Sequence, residues 1–112
     1  MIMVVDNNRK RLNHFDEILR QIYLNDKIET YVDPFLAVQH SEQHEIKLAF
    51  VNLDVIPIGG LAVSKLIRQF NDKARIFLIL NSKEKESMID YTNIEGYVID
   101  PVDEGTVRNL LF

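Results

Sequence analysis

Apolar residues follow two alternating rhythms along the 112-residue chain. Short runs, β-branched or aromatic and bounded by polar residues, predict strands at Ile2–Val5, Ile28–Val32, Leu48–Val51, Ile76–Leu80 and Tyr97–Ile99. Several are apolar on both faces, as in a sheet covered on both sides. Between them the spacing changes to three and four. Leu12, Phe15, Ile18, Leu19 and Ile22 make one stripe of a helix, and Val63, Leu66, Ile67 and Phe70 make another. A third helix, less clearly amphipathic, is predicted to begin at Pro34 with Asp33 as its cap. The polar segment Lys83–Thr92 predicts a short fourth helix, closed by Asn93 in a left-handed conformation. A fifth carries Val107, Leu110 and Leu111.

Five strand-then-helix units in order predict a doubly wound α/β sandwich around a five-stranded parallel sheet. In such sheets the functional crevice lies beyond the carboxyl ends of the strands. An apolar share of 46% over this length suffices for one core, so residues 1–112 are read as one domain without linker or repeat. The ending "VRNLLF" is short for a last helix, and the expectation is the N-terminal part of a longer protein.

The net charge of −4 is scattered, and no basic stripe is present to attract nucleic acid or anionic lipid. "MIMVV" is too short for a signal peptide core or membrane span, which sets the expectation of a cytoplasmic protein. With no cysteine, disulfides, thiolate catalysis and cysteine metal sites are excluded.

The predicted topology brings together Asp6, Asn7 and Asn8 after the first strand, Asn52 and Asp54 after the third, Leu80, Asn81 and Ser82 after the fourth, and Asp100 and Pro101 after the fifth. Across these positions "MVVDNNRKRL", "IKLAFVNLDVIPIGGLAVSKLIR" and "GYVIDPVDEGTV" resemble the receiver domain of two-component response regulators. The resemblance covers essentially the whole chain and implies the CheY-like, flavodoxin-like fold. The spacing from Leu80 through Asn93 to Pro101 is similar to receivers that precede LytTR-type DNA-binding domains.

An active receiver uses an aspartate at the end of the third strand as phosphoryl acceptor, because a carboxylate oxygen is nucleophilic and an amide oxygen hardly so. Acidic groups after the first strand help hold Mg²⁺, a hydroxyl after the fourth bonds the phosphoryl group, and a Lys after the fifth pairs with it. This chain departs at each place. With Gly60 aligned on the glycine eight positions beyond the acceptor, Asn52 takes the nucleophile's position. The acidic pair keeps Asp6 but has Asn7 in second place; the hydroxyl position falls on Leu80; the Lys position is Asp100, whose charge would repel a phosphoryl group. Tyr97 matches the aromatic switch position, and Pro101 matches a proline that follows a cis peptide bond.

The resemblance therefore implies a pseudo-receiver: an atypical regulatory domain, not an enzyme, that acts through protein contacts and needs no cofactor. Its expected partner is another protein or a second copy, docking on the fourth helix, fifth strand and fifth helix, with a possible C-terminal output domain and no direct role in binding nucleic acid or membrane. One alternative takes Asp54 as a displaced acceptor working with Mg²⁺. Pro57 lies one residue later than the family's loop predicts from Asn52, but choosing Asp54 would shorten the loop to Gly60 and push Asn52 into the strand. A buried Asn there is costly unless bonded. A second alternative is a domain that binds a cation or small ligand, with Asp6, Asp54 and Asp100 as candidate groups. His40 and His44 stand one helical turn apart, a zinc-like spacing without an evident third ligand, and are read as a solvated face.

Overall fold

Five strands, β1 (Ile2–Val5), β2 (Ile28–Tyr31), β3 (Leu48–Asn52), β4 (Arg75–Leu80) and β5 (Gly96–Ile99), form one sheet in the order β2-β1-β3-β4-β5. Every pairing is parallel. The computed structural model describes residues 1–112. Alternate side chains of each strand feed opposite cores. Met3, Val5, Ala49, Val51, Ile76, Leu78 and Leu80 meet α2 (Pro34–Gln43) and α3 (Gly60–Phe70) through Ala37, Val63 and Ile67. Ile2, Val4, Phe50, Phe77, Ile79 and Val98 meet α1 (Arg9–Ile22) and α4 (Glu104–Leu111) through Leu12, Phe15, Ile18, Val107 and Leu111. The doubly wound sandwich expected from the alternating pattern is the fold observed.

Boundaries differ by a residue or so. β2 stops at Tyr31, while β3 continues one residue past Val51 and ends at Asn52 itself. Asp33 caps α2 as expected, its Oδ1 accepting from Phe35 N at 2.9 Å. No helix is long and apolar enough to cross a membrane.

The helix expected over Lys83–Thr92 does not form. Two 3₁₀ turns, Lys83–Met88 and Tyr91–Asn93, stand in its place, and neither buries a residue. Asp90 is extended between them, and its carboxylate accepts from Thr92 N at 3.0 Å. A side chain that caps its own neighbour in this way competes with the helical ladder, and no apolar stripe opposes it here. Asn93 is not left-handed either: the only positive φ in the chain is that of Gly59.

The strand order reverses between β1 and β3, so the chain segments leaving these two strands flank the crevice. Gly60 fixes one wall. It opens α3 with its N–H donating to Leu53 O at 2.8 Å, and a Cβ there would lie 2.8 Å from Leu53 Cα.

Candidate functional site

Asp6 follows β1 and is 1% exposed, a costly place for a charge unless it is paired. Its pairing is complete. Oδ1 accepts from Asn8 N at 2.9 Å and from Arg11 Nη2 at 3.1 Å. Oδ2 accepts from Arg11 Nε at 2.8 Å and from Asn52 Nδ2 at 3.1 Å. The local sequence builds this arrangement: Asn8 caps α1 by accepting from Arg11 N at 3.0 Å, which sets Arg11 in the first turn with its side chain folding back onto Asp6. Hydrogen bonding to Asp6 raises the Arg11 guanidinium above its ordinary pKa; burial opposes this, and the charges of Asp6, Asp100 and Asp54 add to it.

Asn52 ends β3 and is 2% exposed. One amide hydrogen goes to Asp6 and the other to Asn81 Oδ1 at 2.9 Å. Its Oδ1 accepts from Asp54 N at 2.9 Å. The orientation follows from Asp6, since an ionised carboxylate can only accept and the amide nitrogen must face it. Asn81 in turn donates to Asp54 Oδ2 at 3.3 Å, and Lys85 Nζ lies 3.8 Å from Asp54 Oδ1. A polar chain thus runs Arg11, Asp6, Asn52, Asn81, Asp54, Lys85.

Asn7, expected as the second member of an acidic pair, holds backbone. Its Nδ2 donates to Val32 O at 3.0 Å and to Ile56 O at 3.2 Å, and its Oδ1 accepts from Ile56 N at 2.8 Å. Leu80, expected at the hydroxyl position, is fully buried in the core between the sheet and α2 and α3. The residue after β4 that reaches Asn52 is Asn81, one position later. Strand alternation gives the reason: Leu80 points into the face that Leu78 also fills.

Tyr97 is half-buried against that same core, and hydrogen bonding to Glu86 pushes its phenol up to about 12. Asp100 is half-buried after β5, with its amide donating to Leu80 O at 2.8 Å and a cis bond to Pro101, as the resemblance implied. With Pro101, Asn8, Lys10, Arg11 and His14 it lines a cavity of about 370 Å³. Of the two histidines read as a solvated face, His44 is exposed and His40 is half-buried, its Nδ1 2.8 Å from Tyr31 Oη; the two rings meet edge-on at 6.1 Å.

The donors present do not suit a divalent cation. Hard cations require several free oxygens at about 2.0–2.6 Å. Both Asp6 oxygens are engaged by N–H groups, Asn7 Oδ1 is engaged by Ile56, and Asp54 stands apart with Asn81 and Lys85. No three acidic or imidazole side chains gather to share an ion. Arg11 and Lys85 were not singled out by the sequence pattern. The one signal for Arg11 is chemical: a carboxylate at the end of an apolar strand needs a cation within reach, and one turn into α1 supplies it.

No protein-family model matches the sequence, and no curated protein matches it. Solved structures do. The CheY-like response regulator receiver domain protein from Methanospirillum hungatei JF-1 superposes with a TM-score of 0.84 at 14% identity, over 98% of this chain and 88% of that one. TrrA from Thermotoga maritima, solved in complex with Mg²⁺-BeF, gives 0.85 at 20% identity, over 98% and 94%. The signal receiver domain of an HD domain-containing protein from Pseudomonas fluorescens Pf-5 gives 0.84 at 18%, over 98% and 89%. At these identities the likeness is one of architecture: the chain has the fold of CheY-like receiver domains.

Proposed function

We propose that this chain is a receiver-type regulatory domain of a two-component response regulator whose state is set by protein contacts and not by aspartyl phosphorylation. The observation that carries this reading is Asn52. The residue at the strand end is an amide with both hydrogens and its oxygen engaged, where phosphoryl transfer would need a free carboxylate oxygen. Asp100 adds a negative charge after β5 where a phosphoryl group would need a positive one.

The partner surface in this reading comprises the two 3₁₀ turns, β5 and α4. β5 is an edge strand, and the turns expose Met88 and Tyr91 at 59% and 49%. A second copy or another protein covering this face gains apolar area, and any partner with unequal affinity for two states of the domain shifts their populations. A C-terminal output domain would read that shift.

One observation favours a second reading. The Asp54 side chain is 37% exposed and lies beside Lys85, so a carboxylate is accessible in the loop. Intact-mass spectrometry after incubation with acetyl phosphate and Mg²⁺, run beside Asp54→Asn, separates the two. No adduct on either protein is expected. A phosphoryl adduct on the wild type that Asp54→Asn abolishes would replace the first reading by the second.

A further inference from the structure

We infer that Arg11 is a built-in cation that takes the place of a bound divalent metal at the strand ends, making this domain indifferent to metal. Three observations combine. Asp6 is almost fully buried yet ionisable, so some cation must balance it. Arg11 does so through a two-pronged contact, Nε to Oδ2 at 2.8 Å and Nη2 to Oδ1 at 3.1 Å, which engages both carboxylate oxygens. The remaining approaches to those oxygens are filled by the Asn8 amide and the Asn52 side chain, leaving no open coordination position. The guanidinium contacts Asp6 alone among the carboxylates around the crevice, and Asp54 has its own cation in Lys85, 3.8 Å away.

A tethered guanidinium and a metal ion differ in one respect that matters. A metal is exchangeable and its occupancy follows concentration, whereas Arg11 is always present and always charged. The link between α1 and the end of β1 therefore does not depend on the concentration of any metal. The Asn7 position is consistent with this division of labour: with the cation supplied covalently, the second acidic ligand is dispensable, and the side chain is used to hold Val32 and Ile56 backbone.

The inference is separate from the question of phosphorylation, since it concerns which cation sits on Asp6 and is read by metal binding, not by mass. Calorimetric titration with MnCl₂ on four proteins tests it: wild type, Asn7→Asp, Arg11→Gln and the double variant Asn7→Asp with Arg11→Gln. Wild type and Asn7→Asp should give no heat of binding, because Arg11 occupies the acid in both. The double variant, with two carboxylates and no guanidinium, should bind Mn²⁺, and Arg11→Gln alone should bind it more weakly. Thermal unfolding accompanies the titration: Mn²⁺ should leave the wild-type midpoint unchanged and raise that of the double variant by at least about 4 °C. Arg11→Lys, which keeps the charge, serves if the Gln variants do not fold: combined with Asn7→Asp it should bind Mn²⁺ weakly or not at all. Mn²⁺ binding by Asn7→Asp equal to that of the double variant would overturn the inference, as would its absence from a folded double variant.

Discussion

Asn52 Nδ2 donates to Asp6 Oδ2 across 3.1 Å and so joins the ends of β3 and β1 over the point where the strand order reverses. Placing an aspartate at residue 52 would replace this donor by a second carboxylate facing the first. Asn52→Asp is expected to lower stability at pH 7 by about 1–3 kcal/mol, measured by urea denaturation. The sign of its pH dependence follows from like-charge repulsion, which raises carboxyl pKa values in the folded state. The folded variant then holds more protons than the unfolded chain, so its deficit should shrink as pH falls from 7 towards 5. A deficit that stays constant over this range would mean that the second carboxylate finds another partner.

Gly60 meets β3 at closer range than any side chain allows. A Cβ there would sit 2.8 Å from Leu53 Cα and nearer still to Asn52 O, both of them backbone atoms that cannot swing aside. Gly60→Ala should therefore cost about 1–3 kcal/mol or more, although Ala is the better helix former. Thermal or urea unfolding reads this directly. An unchanged midpoint would show that α3 can slide away from the strand end without penalty.

Acid should loosen α4 from its first turn. Asp103 caps that helix by accepting from Thr106 N at 2.8 Å, and this bond to the Thr106 backbone holds its carboxyl below the ordinary value of 3.8. A depressed carboxyl contributes stability that is present above the unfolded value and is lost as pH falls through the folded one. The Thr106 amide resonance, followed by NMR, is expected to titrate with a midpoint under 3.8, and Asp103→Asn should remove that inflection. Asp90 is lowered likewise by bonding to the Thr92 hydroxyl and amide, so the break between the two 3₁₀ turns should weaken over the same acid range.

The sheet was readable because β1 and β3 are apolar on both faces, and runs that short and that uniformly apolar suit a strand covered on both sides. α1 and α3 were readable from single stripes. Lys83–Thr92 was not, since its course depends on Asp90 choosing a neighbouring amide over the helical ladder, a local competition that periodicity does not record. At the site, the order of strand ends was enough to single out Asp6 and Asn52. Arg11 lies in the run Arg9, Lys10, Arg11, where pattern alone ranks the three alike, and only the Asn8 cap decides which one turns back. Leu80 turns into the core and Asn81 reaches Asn52, a distinction that hydrophobicity could not mark because both faces of β4 are buried.

Asn7 grips both the N–H and the C=O of Ile56, yet the Ile56 side chain is 69% exposed. An apolar tip in open water normally rides on a mobile loop, and a surface that covers it must first arrest that loop. Here the backbone is already held from β1. A partner that lands beside the crevice would find a hydrophobic anchor whose backbone is already ordered, so that part of the cost of binding would not have to be met again.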